Sequence, residues 1–226
     1  MEARNRTLPD WLTRIRTRQI KLPRFQRFEA WTHQTVTGLL NTVLQELPAG
    51  AVLVLEIGEE EPFVSRTMLG APTEGERVTE HLLDGQQRLT ALWRALTDNY
   101  EDRSFFIRLA SDDDSNDEST VPAYALSYSR WTRPNDGKKY PVWLNSPARL
   151  WKERFIPVHL LRPDAEAEAQ MKAWAKQAAG DDMDTVLEIL DAGNQLRQKF
   201  AKFNIPFLSL PSTTPKETAL NVFVQM

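Results

Sequence analysis

The chain has 226 residues, 41% hydrophobic and 26% charged, with a net charge of −3: ordinary globular proportions, enough for one domain or one and a half. Zero cysteines exclude disulfides, thiolate chemistry and cysteine-ligated zinc, and His33, His81 and His159 are too scattered for a histidine metal site. No apolar run nears the roughly 20 residues of a membrane span and residues 1–6 are polar, so the expectation is a cytoplasmic protein with no secretory signal and no membrane partner.

Residues 8–18 predict a short helix, because Leu8, Trp11, Leu12 and Ile15 keep helical spacing. Residues 19–22 read as a short strand. Residues 23–31 form a loop dense in arginine, glutamine and aromatics. Its Phe25, Phe28 and Trp31 are expected to anchor in the core, which leaves Arg24, Gln26 and Arg27 to point elsewhere, since polar heads are rarely buried unpaired. Val36, Leu39, Leu40, Val43, Leu44 and Leu47 define an amphipathic helix over 32–47, ended by Pro48 and Gly50. Residues 51–57 are a continuous apolar run, hence a buried strand. Residues 58–77 read as a surface loop with room for a hairpin arm. A strand over 78–83, a turn and a helix over 86–98 follow.

Residues 104–110 predict the next strand, which runs into Asp112, Asp113, Asp114, Asp117 and Glu118. That spacing lacks the glycine and glutamate of a calcium loop and reads as a solvated loop. Residues 124–131 alternate weakly, as a strand. Residues 132–148 contain Pro134, Gly137, Pro141 and Pro147 and are mainly loop. Residues 155–161 are a strand candidate in which Pro157 favours an edge. Beyond Pro163, helices are predicted over 164–179 and 182–203, with Met171, Trp174 and Met183 read as core. A strand over 205–210 and a helix from 215 follow. That helix has no stop signal, so a longer parent protein is expected. The expected fold is α/β (α+β), with strands near 52–57, 78–83, 104–110 and 205–210 in one small mixed sheet. The expected division is 1–162 and a helical extension, 163–226.

The net charge argues against a globally basic nucleic-acid binder. Locally, residues 1–31 sum to +5 and residues 130–154 also to +5. Each is either a phosphate-facing surface or a solvated face beside acidic neighbours.

The most informative stretch is His81-Leu82-Leu83-Asp84-Gly85-Gln86-Gln87-Arg88-Leu89-Thr90. It reads as strand, tight turn and helix, because Asp-Gly favours a turn and Leu89, Leu92, Trp93 and Leu96 share a helical face. Arg88 then sits in the first turn of a helix, where the dipole disfavours a cation. Two explanations stand. Arg88 pairs with Asp84 and closes the turn, or the turn meets an anion held by free backbone N–H groups and the guanidinium.

Leu-Asp-Gly-Gln-Gln-Arg-Leu-Thr-Ala-Leu closely resembles the signature of the GmrSD-type N-terminal domain family. The segment Leu22-Pro23-Arg24-Phe25-Gln26-Arg27-Phe28-Glu29-Ala30-Trp31 resembles that family's opening motif, with Phe28 where the family has tyrosine. The resemblance implies a ParB/sulfiredoxin-like core and a nucleotide-hydrolysing sensor of bacterial restriction systems directed against modified DNA. On that reading a nucleotide, GTP or ATP, lays its phosphates on the turn at Gly85, Gln86 and Gln87. Arg88 stabilises the transferred phosphoryl group. Asp84 positions Mg²⁺ or a water, or orients Arg88. Arg24, Gln26 and Arg27 complete the pocket. No Gly-x-x-x-x-Gly-Lys-Ser/Thr loop is present, which excludes a P-loop enzyme. The implied partners are DNA, modified, and a C-terminal HNH-type nuclease domain or subunit. The alternatives are a DNA-binding module that reads modified DNA without hydrolysis, and a ParB-like nuclease.

Overall fold

The computed structural model describes residues 1–110 and 123–225, so Asp112, Asp113, Asp114, Asp117 and Glu118 lie outside the described residues. The chain begins β1 (Glu2–Thr7), α1 (Leu8–Arg16), β2 (Ile20–Pro23), α2 (His33–Leu44), β3 (Val52–Glu56), β4 (Ser65–Arg66), β5 (Glu80–Asp84) and α3 (Gln86–Leu96). It continues through β6 (Arg103–Leu109), β7 (Ala123–Ser129), β8 (Trp131–Thr132), β9 (Lys139–Tyr140), α4 (Pro147–Lys152) and β10 (Phe155–Pro157). Helices α5 (Ala165–Ala179) and α6 (Met183–Lys202), strand β11 (Asn204–Leu210) and helix α7 (Lys216–Gln225) follow. The fold is mixed α/β, in agreement with the sequence. It forms two compact units, each drawn from separated segments.

The first unit takes Met1–Thr32, Pro48–Arg94 and Lys202–Met226. Its sheet has six strands in the order β1-β11-β3-β5-β2-β4. β11 is parallel to β3 and β5 to β2, and the remaining pairs are antiparallel. β3 is an apolar run rather than an alternating one, and β5 is buried along residues 80–83 although it carries Glu80 and His81, because both of their faces are covered. Leu53, Leu55, Phe63, Leu83, Leu210 and Ala219 form one cluster of this core. Helix α1 starts where Thr7 accepts a hydrogen bond from the Asp10 N–H and Pro9 occupies the first turn. It buries Leu8, Trp11, Leu12 and Ile15.

Strand β1 has no apolar signal in the sequence. It is held by main-chain pairing to β11 and by its arginines. Arg6 makes two 2.7 Å bonds to the Glu80 carboxylate, with its guanidinium 4.2 Å from the Trp11 ring and 4.3 Å from Phe207. Arg4 pairs with Glu2 and Glu56. Much of the positive charge of residues 1–31 is thus matched within the unit.

The second unit takes His33–Leu47 and Ala95–Ala201. Its three-stranded antiparallel sheet has the order β10-β6-β7, beside the β8-β9 ribbon. This corrects the expectation that the strand near 104–110 joins the main sheet. Apolar patterning marks a strand but does not name its neighbour, and β7 pairs with β6 along seven residues. Asn41 of α2 accepts from the Ala125 N–H of β7 at 2.7 Å. β10 lies at an edge and stops at Pro157, and residues 158–161 form a 3-10 turn instead of more strand. The core stripe of α6 is Val186, Ile189, Gly193, Leu196 and Phe200. A Cβ on Gly193 would lie 2.8 Å from Met171 Cε, so the thioether fills the space that the glycine leaves. Met183 stands outside this stripe and is 63% exposed, which corrects its reading as core.

Candidate functional site

The site is built around the end of β5. Gly85 adopts φ +86°, and a Cβ there would come within 2.2 Å of Val52 Cγ1, so only glycine fits the turn. Its carbonyl accepts from the Leu89 N–H at 3.1 Å and opens α3. The N–H groups of Gln86, Gln87 and Arg88 lie in the first turn and have no acceptor within the helix. Just before the turn the register of β3 against β5 shifts from Leu53–Asp84 to Val54–Leu82, leaving Leu83 as a β-bulge.

Gln26 exploits that bulge. It is 6% exposed, and its Nε2 donates to the carbonyls of Leu82 at 2.5 Å and Leu83 at 2.8 Å. Its Oε1 is buried without a hydrogen-bond partner among the described residues. Gln86 Nε2 donates to the Arg27 carbonyl at 2.8 Å. Gln87 Nε2 donates to the Phe28 carbonyl at 3.1 Å, while its Oε1 accepts from the Ala30 N–H at 2.9 Å. Arg66 Nη2 donates to the Arg27 carbonyl at 3.1 Å, and its guanidinium lies 4.7 Å from the Phe28 ring. An Arg94–Glu29 ion pair holds the far end of the loop. Arg66 carried no signal in the sequence: it is one cation in a polar loop.

These contacts invert the expectation for the loop. Phe28 is 76% exposed and Phe25 is 43% exposed, while the polar Gln26 is the buried anchor. Two carbonyls turned out of a bulged ladder compensate the amide, and Arg66 covers part of the Phe28 ring.

Arg88 has two tasks. Its Nη1 donates to the carbonyls of Ala49 and Ala51, each at 2.8 Å, and its Nη2 lies 3.6 Å from Asp84 Oδ2. Gly50, between those carbonyls, has φ +79°, and a Cβ on it would lie 2.8 Å from Arg88 Nη1.

A cleft of about 530 Å³ lies between the loop and the turn. Phe25, Gln26, Arg27 and Trp31 line one side, and residues 83–88 the other. Gln26, Arg27, Asp84, Gly85, Gln86, Gln87 and Arg88 are therefore brought together. Arg24 is not: it is exposed and does not line the cleft, because it lies at the end of β2, where its N–H bonds to the Val64 carbonyl. Among the described residues the Arg27 guanidinium has no ion pair or hydrogen bond, and Asp84 is the one carboxylate lining the cleft. Among the described residues no group of three or more His, Asp or Glu side chains is placed to hold a metal ion. No helix among them is long and apolar enough to cross a membrane.

Upstream in β5, His81 is fully buried, with Nε2 3.0 Å from Glu61 Oε2. Burial pushes its imidazole below the ordinary value, against the pull of Glu61.

The chain is 29% identical over 179 residues to an uncharacterized protein of Methanocaldococcus jannaschii, a match covering 70% of this chain. The chain spans 28% of the length of that relative. Residues 8–226 match the family described as GmrSD restriction endonuclease, N-terminal domain. Both strapped segments, the loop at 23–31 and the turn at 84–88, fall within the match, and the chain belongs to the GmrSD restriction endonuclease N-terminal domain family.

Proposed function

We propose that the cleft binds a nucleoside triphosphate, GTP or ATP, and supports its hydrolysis as the sensing step of a restriction system that acts on modified DNA. The observation that carries this reading is Arg27: its guanidinium has no ion pair or hydrogen bond among the described residues, and the residue lines a cleft of about 530 Å³ together with the N-terminal turn of α3. A nucleotide is of a size to fit such a space. Phosphate oxygens accept from the N–H groups of Gln86, Gln87 and Arg88 and from Arg27, where the helix dipole also favours negative charge. Gly85 supplies the positive-φ turn that leads into these N–H groups. Arg88 braces the turn with Nη1 and keeps Nη2 beside Asp84, adding positive charge where the oxygens of the transferred phosphoryl group carry negative charge. Asp84 orients the attacking water. A single carboxylate also suits Mg²⁺, which is commonly held by one or two carboxylates and substrate phosphates.

Phe25, 43% exposed, and Trp31 line the cleft and provide aromatic surface, which also favours contact with a base. A nuclease domain or subunit is the partner that the family description implies. The ParB/sulfiredoxin-like ancestry of the core belongs to this same reading. Phosphate release from GTP and from ATP, with Mg²⁺ and with or without modified DNA, tests the proposal. Turnover that depends on Asp84 supports it. Binding of modified DNA with no turnover of either nucleotide favours the non-hydrolysing module instead.

A further inference from the structure

The second unit holds a separate cleft of about 310 Å³. Arg130, which follows β7, reaches into it and is only 6% exposed. Its Nη2 donates to Asn145 Oδ1 at 2.5 Å, and its Nε is buried without a partner among the described residues. A guanidinium carries five N–H donors and stays charged, so a buried one with a single acceptor is an unfavourable arrangement unless something else meets it. Lys139 lines the same cleft, and its Nζ has no ion-pair partner among the described residues. Among the described residues Asp98 is the only carboxylate on the lining; it acts on Arg130 electrostatically but makes no ion pair with either cation. Burial lowers the affinity of His159 for a proton, Asp98 opposes this, and Arg162 and Lys139 reinforce it. Phe106, Leu144 and Trp174 supply apolar wall.

We propose that this cleft binds a small organic anion, with a phosphate or carboxylate head held by Arg130 and Lys139 and a flat apolar body against Phe106, Leu144 and Trp174. Two cations against one carboxylate leave the lining net positive. The Arg130 guanidinium keeps donors beyond the one bonded to Asn145, and a planar multi-donor cation of this kind suits an oxyanion. The volume falls at the small end of ligand sites and excludes a duplex or a folded protein.

The test is NMR of the arginine Nε–Hε resonances of this chain during titration with phenyl phosphate, benzoate and inorganic phosphate. The Arg130 signal, assigned by its loss in Arg130→Lys, is expected to shift saturably with phenyl phosphate or benzoate. Whichever aromatic probe acts identifies the head group, and inorganic phosphate acts more weakly because it lacks the apolar body. Lys139→Ala, which removes no buried group, is expected to weaken binding about tenfold. If Arg130→Lys does not fold, triple-resonance assignment and Lys139→Ala carry the test. An Arg130 signal unmoved by all three probes up to about 10 mM overturns the proposal, as does unchanged affinity in Lys139→Ala.

Discussion

The side-chain amide of Gln86 donates to the main-chain carbonyl of Arg27 at 2.8 Å, joining residues 59 positions apart in sequence. Gln87 repeats the link with Phe28 and Ala30. The two glutamines of the turn are therefore straps. They set the position of the segment that lines the cleft opposite the N-terminal turn of α3. Replacing both with leucine should leave the sheet folded, at a cost of about 1 kcal/mol for each lost hydrogen bond. Nucleotide affinity should fall more than stability does. Parallel melting and binding curves check this.

Gln26 should be the most sensitive residue of the loop. Gln26→Ala removes two bonds and leaves a void, for an expected loss of about 2–3 kcal/mol in denaturant unfolding. Gln26→Glu places a carboxylate against the Leu82 and Leu83 carbonyls. It should be worse near neutral pH and recover on acidification, since a protonated carboxyl can donate where the carboxylate cannot. The opposite pH trend would contradict the assigned amide orientation.

Arg88→Ala should cost both activity and stability. The Ala49 and Ala51 carbonyls lose their donor, for an expected loss of about 1–3 kcal/mol in unfolding. Gly50→Ala should resemble it, because the added methyl displaces Arg88 Nη1 and the residue keeps a strained positive φ. An Arg88→Ala variant with an unchanged melt would remove the bracing role.

Much of this was legible in the sequence. Helical spacing of Leu8, Trp11, Leu12 and Ile15, and of Val36 to Leu44, marks α1 and α2, a continuous apolar run marks β3, and Leu82-Leu83 before the Asp84-Gly85 turn marks β5. The Asp84-Gly85 turn is legible because few residues other than glycine tolerate φ +86°. Other features carry no periodic signal. β1 is polar, and main-chain pairing and the Arg6–Glu80 bridge hold it. The burial of Gln26 and the exposure of Phe28 depend on a bulge at Leu83 and on Arg66, both distant in sequence. The sheet that β6 joins depends on β7, not on β6 itself.

The Arg6–Glu80 pair should behave as a buried bridge. Arg6→Met leaves Glu80 with Arg14 at 3.4 Å as its remaining ion-pair partner among the described residues, and should cost about 3–5 kcal/mol. Adding Glu80→Gln should recover part of that loss, because the stranded charge is gone. A double-mutant cycle by denaturant unfolding measures the coupling.

Acid should destabilise the chain before its carboxylates matter. His81 and His159 both lie below their ordinary value of 6.5, primarily through burial. Above that value both rings are neutral folded or unfolded, and stability is complete. As pH falls through it, the unfolded chain takes up protons that the folded chain refuses, so stability drops until the folded values are passed. Glu61, also held low, adds its loss only as pH falls below its ordinary 4.5. Melting temperatures between about pH 8 and pH 5.5 should decline on acidification, and histidine NMR should place both rings below 6.5.

The most direct measurement is equilibrium binding of a fluorescent, non-hydrolysable nucleoside triphosphate analogue to this chain and to Arg27→Ala. The Arg27 side chain makes no hydrogen bond or ion pair among the described residues, and alanine keeps the carbonyl that Gln86 and Arg66 meet, so the melt should be unchanged while affinity falls about tenfold or more, as expected for loss of a charged phosphate contact. Equal binding by both proteins, or no binding by either, would contradict the assignment of this cleft to a nucleotide.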